Sequence, residues 1–340
     1  MTNRLGTCCM VGEVIDGNFK SFKGTTIGTV QQSALDKLMG FDKNSDITRS
    51  EHLSSISNIK LSLLKQKLYS KVKANITSLY KQLEVISNYN LNMKMFRISS
   101  GLLPMFDHPD YNILYDHELK TVIEAGLKRC RRLIDINNII VTTHPDKFTV
   151  INSDKKEVRL KSFRTLEYHK WFMERLTTYD KTSINIHLNG KLDHIPEFDN
   201  GEFSELKPWL SFENDDIIVR AGVIPTLEIC EKYNIKMVYD IHHHLVELEN
   251  DFLLLPRYTN SELIKRIVRT WKGETPIFHV STSKNSKGTT KKELSPHSDT
   301  IDNAFFFVVV RNLLEIAHFE VEAKHKNVAT DLLYTVTRKY

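Results

Sequence analysis

The sequence predicts an α/β fold in which eight parallel strands alternate with helices and close into a single barrel. Short apolar runs and helical patterns alternate along most of the chain, which favours a parallel sheet. Five apolar runs continue into a histidine or an acidic residue, as strands do where their carboxyl ends open onto a site: 139–144, 184–187, 210–213, 238–244 and 276–279. An open, doubly wound sheet would carry a G-x-G-x-x-G turn after its first strand, and that turn is missing. We therefore expect a (β/α)8 barrel of the TIM type.

The predicted elements follow from the apolar patterns along the chain. Strands are predicted at residues 5–11, 93–99, 139–143, 183–188, 209–213, 236–240, 276–281 and 318–323. Helices are predicted at 59–88, 116–134, 159–178, 223–234, 261–271, 300–316 and 327–338, with a short one near Glu202. The first helix has apolar residues at spacings of three and four from Leu61 to Ile86, the signature of an amphipathic helix. Residues 12–57 are polar, and we interpret them as a long loop or a small insertion at one end of the fold.

Length and composition allow a large core. With 340 residues and 41% hydrophobic content, the chain can form one barrel-sized domain or two smaller ones, and we expect one domain over residues 1–340. Lys and Arg exceed Asp and Glu by 47 to 42, which permits binding to a polyanion without demonstrating it.

The cysteines and the apolar runs bear on the cellular compartment. Cys8, Cys9, Cys130 and Cys230 show no CxxC spacing, and we interpret them as reduced thiols in a reducing cytoplasm. The N-terminus lacks an apolar signal segment, and the longest apolar run, 304–310, is halted by Arg311. We expect no membrane segment and a cytoplasmic location in a bacterial or phage-infected cell, or a nuclear one in a eukaryote.

Histidines and acidic residues stand at the ends of the predicted strands that a parallel barrel brings to one face. The residues expected to converge there are His144, His187, Glu213, Asp240, His279 and Glu322. Imidazoles and carboxylates together make a site for Zn²⁺, Mn²⁺ or Fe²⁺. A buried, unpaired carboxylate lowers the stability of the fold or shifts its pKa. Bound cations therefore explain the presence of Glu213, Asp240 and Glu322 at one end of the barrel, its mouth, better than hydrogen bonds alone.

The number of candidate ligands exceeds what one tetrahedral ion needs, which implies two or three metals. Two ions about 3.5–4 Å apart bind both the attacking and the leaving oxygen of an in-line displacement, which favours phosphate chemistry. The alternative is a metal-dependent sugar isomerase or epimerase. Such an enzyme also uses a barrel with acidic and histidine ligands, but it acts on a small polyol and needs no basic rim.

A lysine-rich segment follows the strand predicted to carry His279. Within residues 283–296, Lys284, Lys287, Lys291 and Lys292 lie on a basic loop rich in Gly, Ser and Thr. Such a loop suits sequence-neutral contacts to DNA phosphates. A solvated surface loop is the alternative reading of the composition, and the position beside the predicted metal site favours DNA binding.

Ten short motifs stand out along the chain: Phe96-Arg97-Ile98-Ser99-Ser100, His108-Pro109, Thr143-His144-Pro145, Leu166-Glu167-Tyr168-His169, Ile184-Asn185-Ile186-His187, Phe212-Glu213-Asn214-Asp215-Asp216, Asp240-Ile241-His242-His243-His244, His279-Val280-Ser281, His297-Ser298-Asp299 and Glu322-Ala323-Lys324. These motifs resemble those of the UV damage endonuclease family, arrive in the family's order and extend the resemblance over about residues 4–325. The resemblance implies the barrel of endonuclease IV-type repair enzymes and hydrolysis of DNA immediately 5′ of UV photoproducts and related lesions, initiating excision repair. It also implies two or three divalent ions, with Mn²⁺ expected and Zn²⁺ or Mg²⁺ as alternatives. We expect a monomer that binds damaged double-stranded DNA.

The resemblance also implies roles for individual residues. His144, His187 and Glu213 would hold one metal, and Glu213 would bridge to a second held by Asp240, His279 and Glu322. His243 and His297 would reach a third. His108 falls where the family has a further active-site histidine, so Glu213, His108 and His243 are the expected catalytic residues. His242 and His244 are expected to point away from His243, because side chains alternate along an extended chain.

Two departures from the family pattern concern the site. Ile277 stands where the family often has a lysine, two residues before the position of His279. Lys147 and Phe148 stand where the family has a damage-probing glutamine followed by an aromatic residue. We expect Lys147 and Phe148 to contact DNA at the lesion, with poorer discrimination than a glutamine gives, because a lysine is attracted to phosphates whether or not the base is damaged.

Overall fold

The computed structural model describes residues 3–216, 221–249 and 251–339, and eight strands in these ranges form a closed parallel barrel. The chain runs through β1 (Leu5–Cys8), the hairpin β2 (Gly12–Ile15) and β3 (Asn18–Ser21), β4 (Met95–Ile98), β5 (Ile140–Thr143), β6 (Ile184–His187), β7 (Leu210–Glu213), β8 (Lys236–Asp240), β9 (Ile277–Val280) and β10 (His318–Val321). In the barrel β1 pairs with β4, each later strand pairs with the next, and β10 pairs with β1. The predicted (β/α)8 barrel is therefore confirmed.

Helices surround the barrel and continue into its loops. Their bounds are α1 (Gln32–Met39), α2 (Arg49–Ser55), α3 (Asn58–Ser87), α4 (His117–Asn137), α5 (Lys156–Met173), α6 (Val223–Tyr233), α7 (Ile241–Glu247), α8 (Glu262–Arg269), α9 (Lys291–Leu294), α10 (Ala304–Leu313) and α11 (Lys326–Lys339). Short 3₁₀ turns lie at Leu91–Met93, Tyr111–Leu114, Tyr179–Lys181, Leu192–His194 and Lys207–Trp209. Among the residues described, no helix combines the length and the apolar composition that crossing a bilayer needs.

The barrel strands are buried because helices cover their outer faces and side chains fill the interior. Every residue of β7, β8 and β9 is buried. Met95, Val238 and Ile277 pack together with Trp271 in one cluster of buried apolar residues. A packed barrel of this kind holds the carboxyl ends of its strands in fixed relative positions.

Helix α3 carries the apolar face that its spacing predicts. From Leu64 to Ile86 the predicted apolar positions are buried, and only Leu61 at the start is half-buried. Helix α4 packs closely on this face: a Cβ added at Gly126 would lie 2.4 Å from Cγ2 of Ile76. A side chain at this glycine would therefore force the two helices apart.

The structure differs from the predictions in three elements outside the site. The first strand ends at Cys8 instead of residue 11, because Cys9 takes a left-handed conformation with φ 67°. The short helix predicted near Glu202 is wrong: turns cover that position, and a 3₁₀ turn follows only at Lys207–Trp209. Residues 12–57 are no long loop either, because they contain the β2–β3 hairpin and helices α1 and α2. Their status as an insertion remains a prediction.

Candidate metal centre

Six barrel strands bring the predicted ligands to one mouth. His144 follows β5, His187 ends β6, Glu213 ends β7, Asp240 ends β8, His279 lies one residue before the end of β9, and Glu322 follows β10. All of these positions are at the carboxyl ends of parallel strands. The convergence predicted from the sequence is therefore found in the structure.

Glu213 lies at the centre of the cluster and uses its two oxygens in different directions. Its side chain is 1% exposed. Oε2 lies 3.1 Å from Nε2 of His144 and 3.6 Å from Nε2 of His187, whereas Oε1 lies 3.0 Å from Nδ1 of His279. Asn185 fixes the carboxylate further by donating a hydrogen bond to Oε2. This arrangement suits a carboxylate that bridges two cations.

Three overlapping groups in the mouth have the composition and spacing of metal sites. They are His144, His187 and Glu213; Glu213, His279 and Glu322; and Glu213, Asp240 and His243. In each group the potential ligand atoms lie within 4.8 Å of one another. Glu213 belongs to all three groups, so one carboxylate connects the whole centre.

The second nitrogen of three imidazoles is held by a partner outside the centre. His144 Nδ1 lies 2.7 Å from the carbonyl of Pro145, and His297 Nδ1 lies 2.7 Å from the hydroxyl of Ser281. His279 Nε2 lies 3.1 Å from Oε2 of Glu320. Metal-binding histidines commonly have their second nitrogen fixed in this way, which orients the ring and sets its tautomer.

Several buried atoms of the cluster lack a hydrogen-bond partner. The unpaired atoms include Oδ2 of Asp240, Nδ1 of His187 and Nδ1 of His243. Leaving polar atoms buried and unpaired is costly, and most native proteins avoid it. Cations bound between these side chains would satisfy them, so the residues present fit a centre for divalent metals.

The pKa values in the cluster reflect its concentrated negative charge. Burial lowers the pKa of His187 to about 4, which leaves a neutral imidazole at neutral pH. Burial opposes the charge of Glu213, yet the positive charge of His279 beside it holds the pKa of this carboxyl well below its usual range. Burial likewise opposes the charge of His243, but Asp240 and Glu213 raise its pKa to about 9. The mouth therefore attracts positive charge.

His243 is held in place by a helix that the sequence analysis missed. Asp240 ends β8 and also caps α7, because its Oδ1 accepts a hydrogen bond from the backbone N–H of His243 at 2.7 Å. A side-chain acceptor in this position is a favoured way to begin a helix. The ring of His243 meets that of His187 edge-on, with 5.6 Å between their centroids.

The predicted reason for setting His242 and His244 aside is wrong, because the chain is helical there and not extended. Both side chains are buried. His242 Nε2 lies 3.1 Å from the carbonyl of Ser295, and His244 Nδ1 lies 2.7 Å from the hydroxyl of Tyr239. These contacts tie α7 to its surroundings.

Two predicted histidines lie apart from the three ligand groups. Nε2 of His297 is 3.8 Å from Glu322, and its ring centroid is 6.3 Å from that of His243. His108 belongs to none of the metal-binding groups found among the described residues. Its Nδ1 accepts hydrogen bonds from the backbone N–H groups of Asp110 and Tyr111, and its Nε2 lies 3.3 Å from Gln32. Their catalytic and metal-binding roles remain predictions.

Four polar residues of the mouth were given no role from the sequence, although three of them stand in the family-like motifs. Asp215 and Asp216 form a further group with His243. Arg97 of β4 forms ion pairs with Glu320 and Glu322 of the β10 side. A usable signal existed for Glu320, because it lies two residues before Glu322 and therefore on the same face of the strand.

The predicted DNA-binding residues follow the carboxyl ends of β5 and β9, on loops except for Lys291 and Lys292 in α9. Phe148 is 66% exposed, and Nζ of Lys147 lies 5.8 Å from the centre of its ring. Lys284, Lys287 and Lys292 are exposed. Lys291 is half-buried at the start of α9, and it donates a hydrogen bond to the backbone carbonyl of Asp216 at 3.1 Å. The basic segment is therefore partly helical instead of a flexible loop throughout.

The fold and the ligand groups define a TIM-type barrel enzyme with candidate metal-binding histidines and carboxylates in its mouth. Residues 32–338 match the family described as UV-endonuclease UvdE, and the chain belongs to this family of UV DNA damage endonucleases, which are DNA-cleaving hydrolases. The sugar isomerase alternative is thereby set aside.

Individual relatives agree with the family match. The UV DNA damage endonuclease of Bacillus cereus (strain 03BB102) is 27% identical over 277 residues, which cover 77% of this chain and 80% of that protein. That of Bacillus mycoides (strain KBAB4) is 28% identical over 258 residues, covering 72% and 76%. The crystal structure of SacUVDE has the same fold, with a TM-score of 0.68 and 21% identity over 99% of this chain and 98% of that one. Endonuclease IV from Thermus thermophilus shares the barrel with a TM-score of 0.52 and 13% identity over 77% and 93%.

Proposed function

We propose that the mouth of the barrel binds two or three divalent ions and hydrolyses the DNA phosphodiester immediately 5′ of UV photoproducts and related lesions. Mn²⁺ is the expected metal, with Zn²⁺ or Mg²⁺ as alternatives. The observation that carries the proposal is the position of Glu213, whose two oxygens face different ligand groups. We further propose that the enzyme acts as a monomer on damaged double-stranded DNA.

Each proposed metal has its own ligands. His144, His187 and Glu213 would hold the first, and Glu213, Asp240, His279 and Glu322 the second. His243 and His297 would serve a third. Divalent ions in such a site polarise phosphoryl oxygens, stabilise the attacking and leaving oxygens of an in-line displacement, and lower the pKa of water.

The protein itself contributes orientation and binding. Outer partners such as the Pro145 carbonyl fix the imidazoles, so their ligand nitrogens need no reorganisation during the reaction. His108 is proposed to act as a further active-site group. Because its Nδ1 accepts two backbone hydrogen bonds, its Nε2 carries the proton. This proton now faces Oε1 of Gln32 at 3.3 Å, and it would leave that partner to donate to a phosphate.

Damage recognition is proposed to combine the deformability of the lesion with a probe from the protein. A photoproduct weakens stacking and pairing, so extruding its nucleotides costs least at the lesion. The exposed ring of Phe148 can then fill the gap in the duplex by stacking, while Lys147 meets base edges or phosphate. The lysines of the basic segment would contact the backbone on the same face.

Replacing Glu213 with glutamine tests the proposal. Glu213→Gln keeps the size of the side chain but removes the charge that is proposed to bridge two metals. We expect single-turnover nicking of a duplex with one photoproduct to fall by more than about 100-fold, since even outer partners of metal ligands contribute about 10- to 100-fold. Thermal unfolding should show that the fold is retained.

The matched control is Glu315→Gln, the same chemical change at an exposed position distant from the ligand strands' carboxyl ends. This variant should nick at the wild-type rate. Wild-type nicking by Glu213→Gln would refute the bridging role.

A further inference from the structure

Glu320 is a buried carboxylate in the mouth to which the proposed function gives no role. It lies on β10 directly beside His279 of β9 in the strand register, and it is 1% exposed. Its Oε2 lies 3.1 Å from Nε2 of His279. Its Oε1 accepts a hydrogen bond from the hydroxyl of Thr142 on β5. The carboxylate is therefore fixed from two sides of the barrel.

The two ring nitrogens of His279 face different environments. Nδ1 lies 3.0 Å from Oε1 of Glu213 and 3.2 Å from Oε1 of Glu322, both candidate metal ligands. Nε2 faces Glu320, which belongs to neither of the two metal groups proposed around Glu213. Among the residues described, Glu320 forms a separate group of possible ligands only with Glu322 and the buried thiol of Cys8. A histidine that binds a metal through one nitrogen commonly donates the N–H of the other to a carboxylate, which fixes the ring and makes the ligand nitrogen more basic.

We propose that Glu320 is a positioning residue: it accepts the Nε2 proton of His279, so that Nδ1 is free of a proton and directed at the second metal. The inference rests on the proposed metal centre. In this arrangement Glu320 touches neither the metal nor the DNA and acts only through His279.

Arg97 offers a second route by which Glu320 could affect the metal, and the experiment must separate the two. Nη1 of Arg97 lies 3.2 Å from Oε2 of Glu320, and the same nitrogen pairs with Glu322. Without the charge of Glu320, Arg97 would interact more strongly with Glu322 and compete with a metal for it. A loss of metal affinity alone therefore does not identify His279 as the target.

The first measurement is Mn²⁺ binding to the purified enzyme without DNA, by titration calorimetry. Glu320→Gln keeps the volume of the side chain and removes its charge, and we expect one class of Mn²⁺ sites to weaken by about 10- to 100-fold. Thr142→Val is the matched control, because it removes the other hydrogen bond of the same carboxylate and leaves the contact with His279. Thr142→Val should weaken Mn²⁺ binding by less than Glu320→Gln does.

The second measurement identifies the tautomer of His279 in the wild-type enzyme, so its main result does not depend on whether Glu320→Gln folds. In the Mg²⁺-loaded enzyme labelled with ¹⁵N-histidine, we expect an exchange-protected, downfield-shifted Nε2–H resonance, assigned by its absence in His279→Gln. It should persist in Thr142→Val and move upfield in Glu320→Gln. A wild-type spectrum without this resonance overturns the proposal even if Glu320→Gln does not fold.

The outcomes separate this inference from the proposed function. The role of Glu320 is overturned if Glu320→Gln binds Mn²⁺ with wild-type affinity. It is also overturned if this variant binds Mn²⁺ more weakly while the His279 resonance is unchanged. Both results leave the proposed metal centre intact. Failure of the wild-type protein to bind Mn²⁺, Zn²⁺ or Mg²⁺ overturns both.

Discussion

Glu213 and Phe148 illustrate the two kinds of residue that the proposed function needs. Glu213 is 1% exposed and held by hydrogen bonds, as a metal ligand must be. Phe148 is 66% exposed, although burying a phenylalanine side chain contributes about 1.5–3 kcal/mol to stability. An exposed ring four residues after the candidate ligand His144 therefore favours a role in binding over a role in the core.

Phe148→Ala tests this role. Base–aromatic stacking contributes about 1–3 kcal/mol per base, so cleavage of a duplex with a photoproduct should fall by about 5- to 150-fold. A substrate that already lacks the bases to be extruded should still be cut at nearly the wild-type rate. Single-turnover rates on the two substrates give the comparison.

The control for this prediction is Tyr179→Ala, which removes another ring exposed by about half, in the turn that precedes β6. It should leave both rates unchanged. Equal losses on both substrates for Phe148→Ala would instead assign the ring to the support of the fold or the metal site.

At the scale of elements, the basic segment is anchored next to the candidate metal centre. Asp216, three residues after Glu213, accepts hydrogen bonds from Ser295 and, through its backbone carbonyl, from Lys291. Helix α9 begins with a capping box formed by Thr290 and Glu293. The segment is thereby held on the face where DNA would bind.

This anchoring divides the four lysines into two classes. Lys284, Lys287 and Lys292 are exposed and free to meet phosphates, whereas Lys291 already contacts Asp216. Replacing the three exposed lysines with alanine should weaken binding to damaged and undamaged duplex alike. The slope of log K against log salt should become shallower by up to about 2.7, since each phosphate contact contributes about 0.9.

The control replaces three exposed lysines of the outer helices, Lys67, Lys73 and Lys128, and makes the same change in net charge. Binding measured by anisotropy over a range of salt should show no change in slope for this variant. If the slope of log K against log salt is also unchanged when Lys284, Lys287 and Lys292 are replaced, the segment is solvated surface that does not contact DNA.

Elements could be predicted from the sequence where one physical signal dominates. The apolar spacing of α3 and the buried runs of the strands indicated their type and approximate position. Helix α7 was missed because three histidines in a row carry no apolar period, and the helix depends on the cap that Asp240 supplies. The hairpin and helices within residues 12–57 were missed for a similar reason, since only a few anchors such as Leu35 and Leu53 are buried.

At the scale of the whole molecule, the barrel made the site predictable. Parallel strands bring their carboxyl ends together, so candidate ligands far apart in sequence could be assigned to one end of the barrel. The partners of these ligands could not be assigned, because the contact of Glu320 with His279 depends on strand register and ring orientation. The same holds for Arg97, whose salt bridges cross from β4 to β10.

The amino-terminal ends of the barrel strands give a pH dependence of stability. His318 at the start of β10 accepts a hydrogen bond from the backbone N–H of Arg4 through Nδ1 at 3.0 Å. Burial, with a smaller contribution from Arg4, lowers its pKa to about 4. Its contribution to stability is complete above the unfolded pKa of about 6.5 and is lost as the pH falls toward 4.

His318→Asn keeps a hydrogen-bond acceptor but cannot be protonated. Between pH 7 and pH 5 we therefore expect this variant to lose about 1–2 kcal/mol less unfolding free energy than the wild type does. Urea unfolding at pH 7 and at pH 5 measures this difference in unfolding free energy. The exposed His117→Asn is the control and should follow the wild type. The assignment fails if His318→Asn loses as much stability as the wild type.

The central claim is that the barrel mouth cuts DNA with divalent metals, and one combined measurement tests it most directly. Metal content of the purified protein is determined, and the same preparation is assayed on UV-irradiated and undamaged labelled duplexes before and after chelation and Mn²⁺ addition. We expect two or three ions per chain, nicking of the irradiated duplex 5′ of the lesion, loss of nicking on chelation and its return with Mn²⁺. Nicking of irradiated DNA by metal-free protein at the undiminished rate would contradict it.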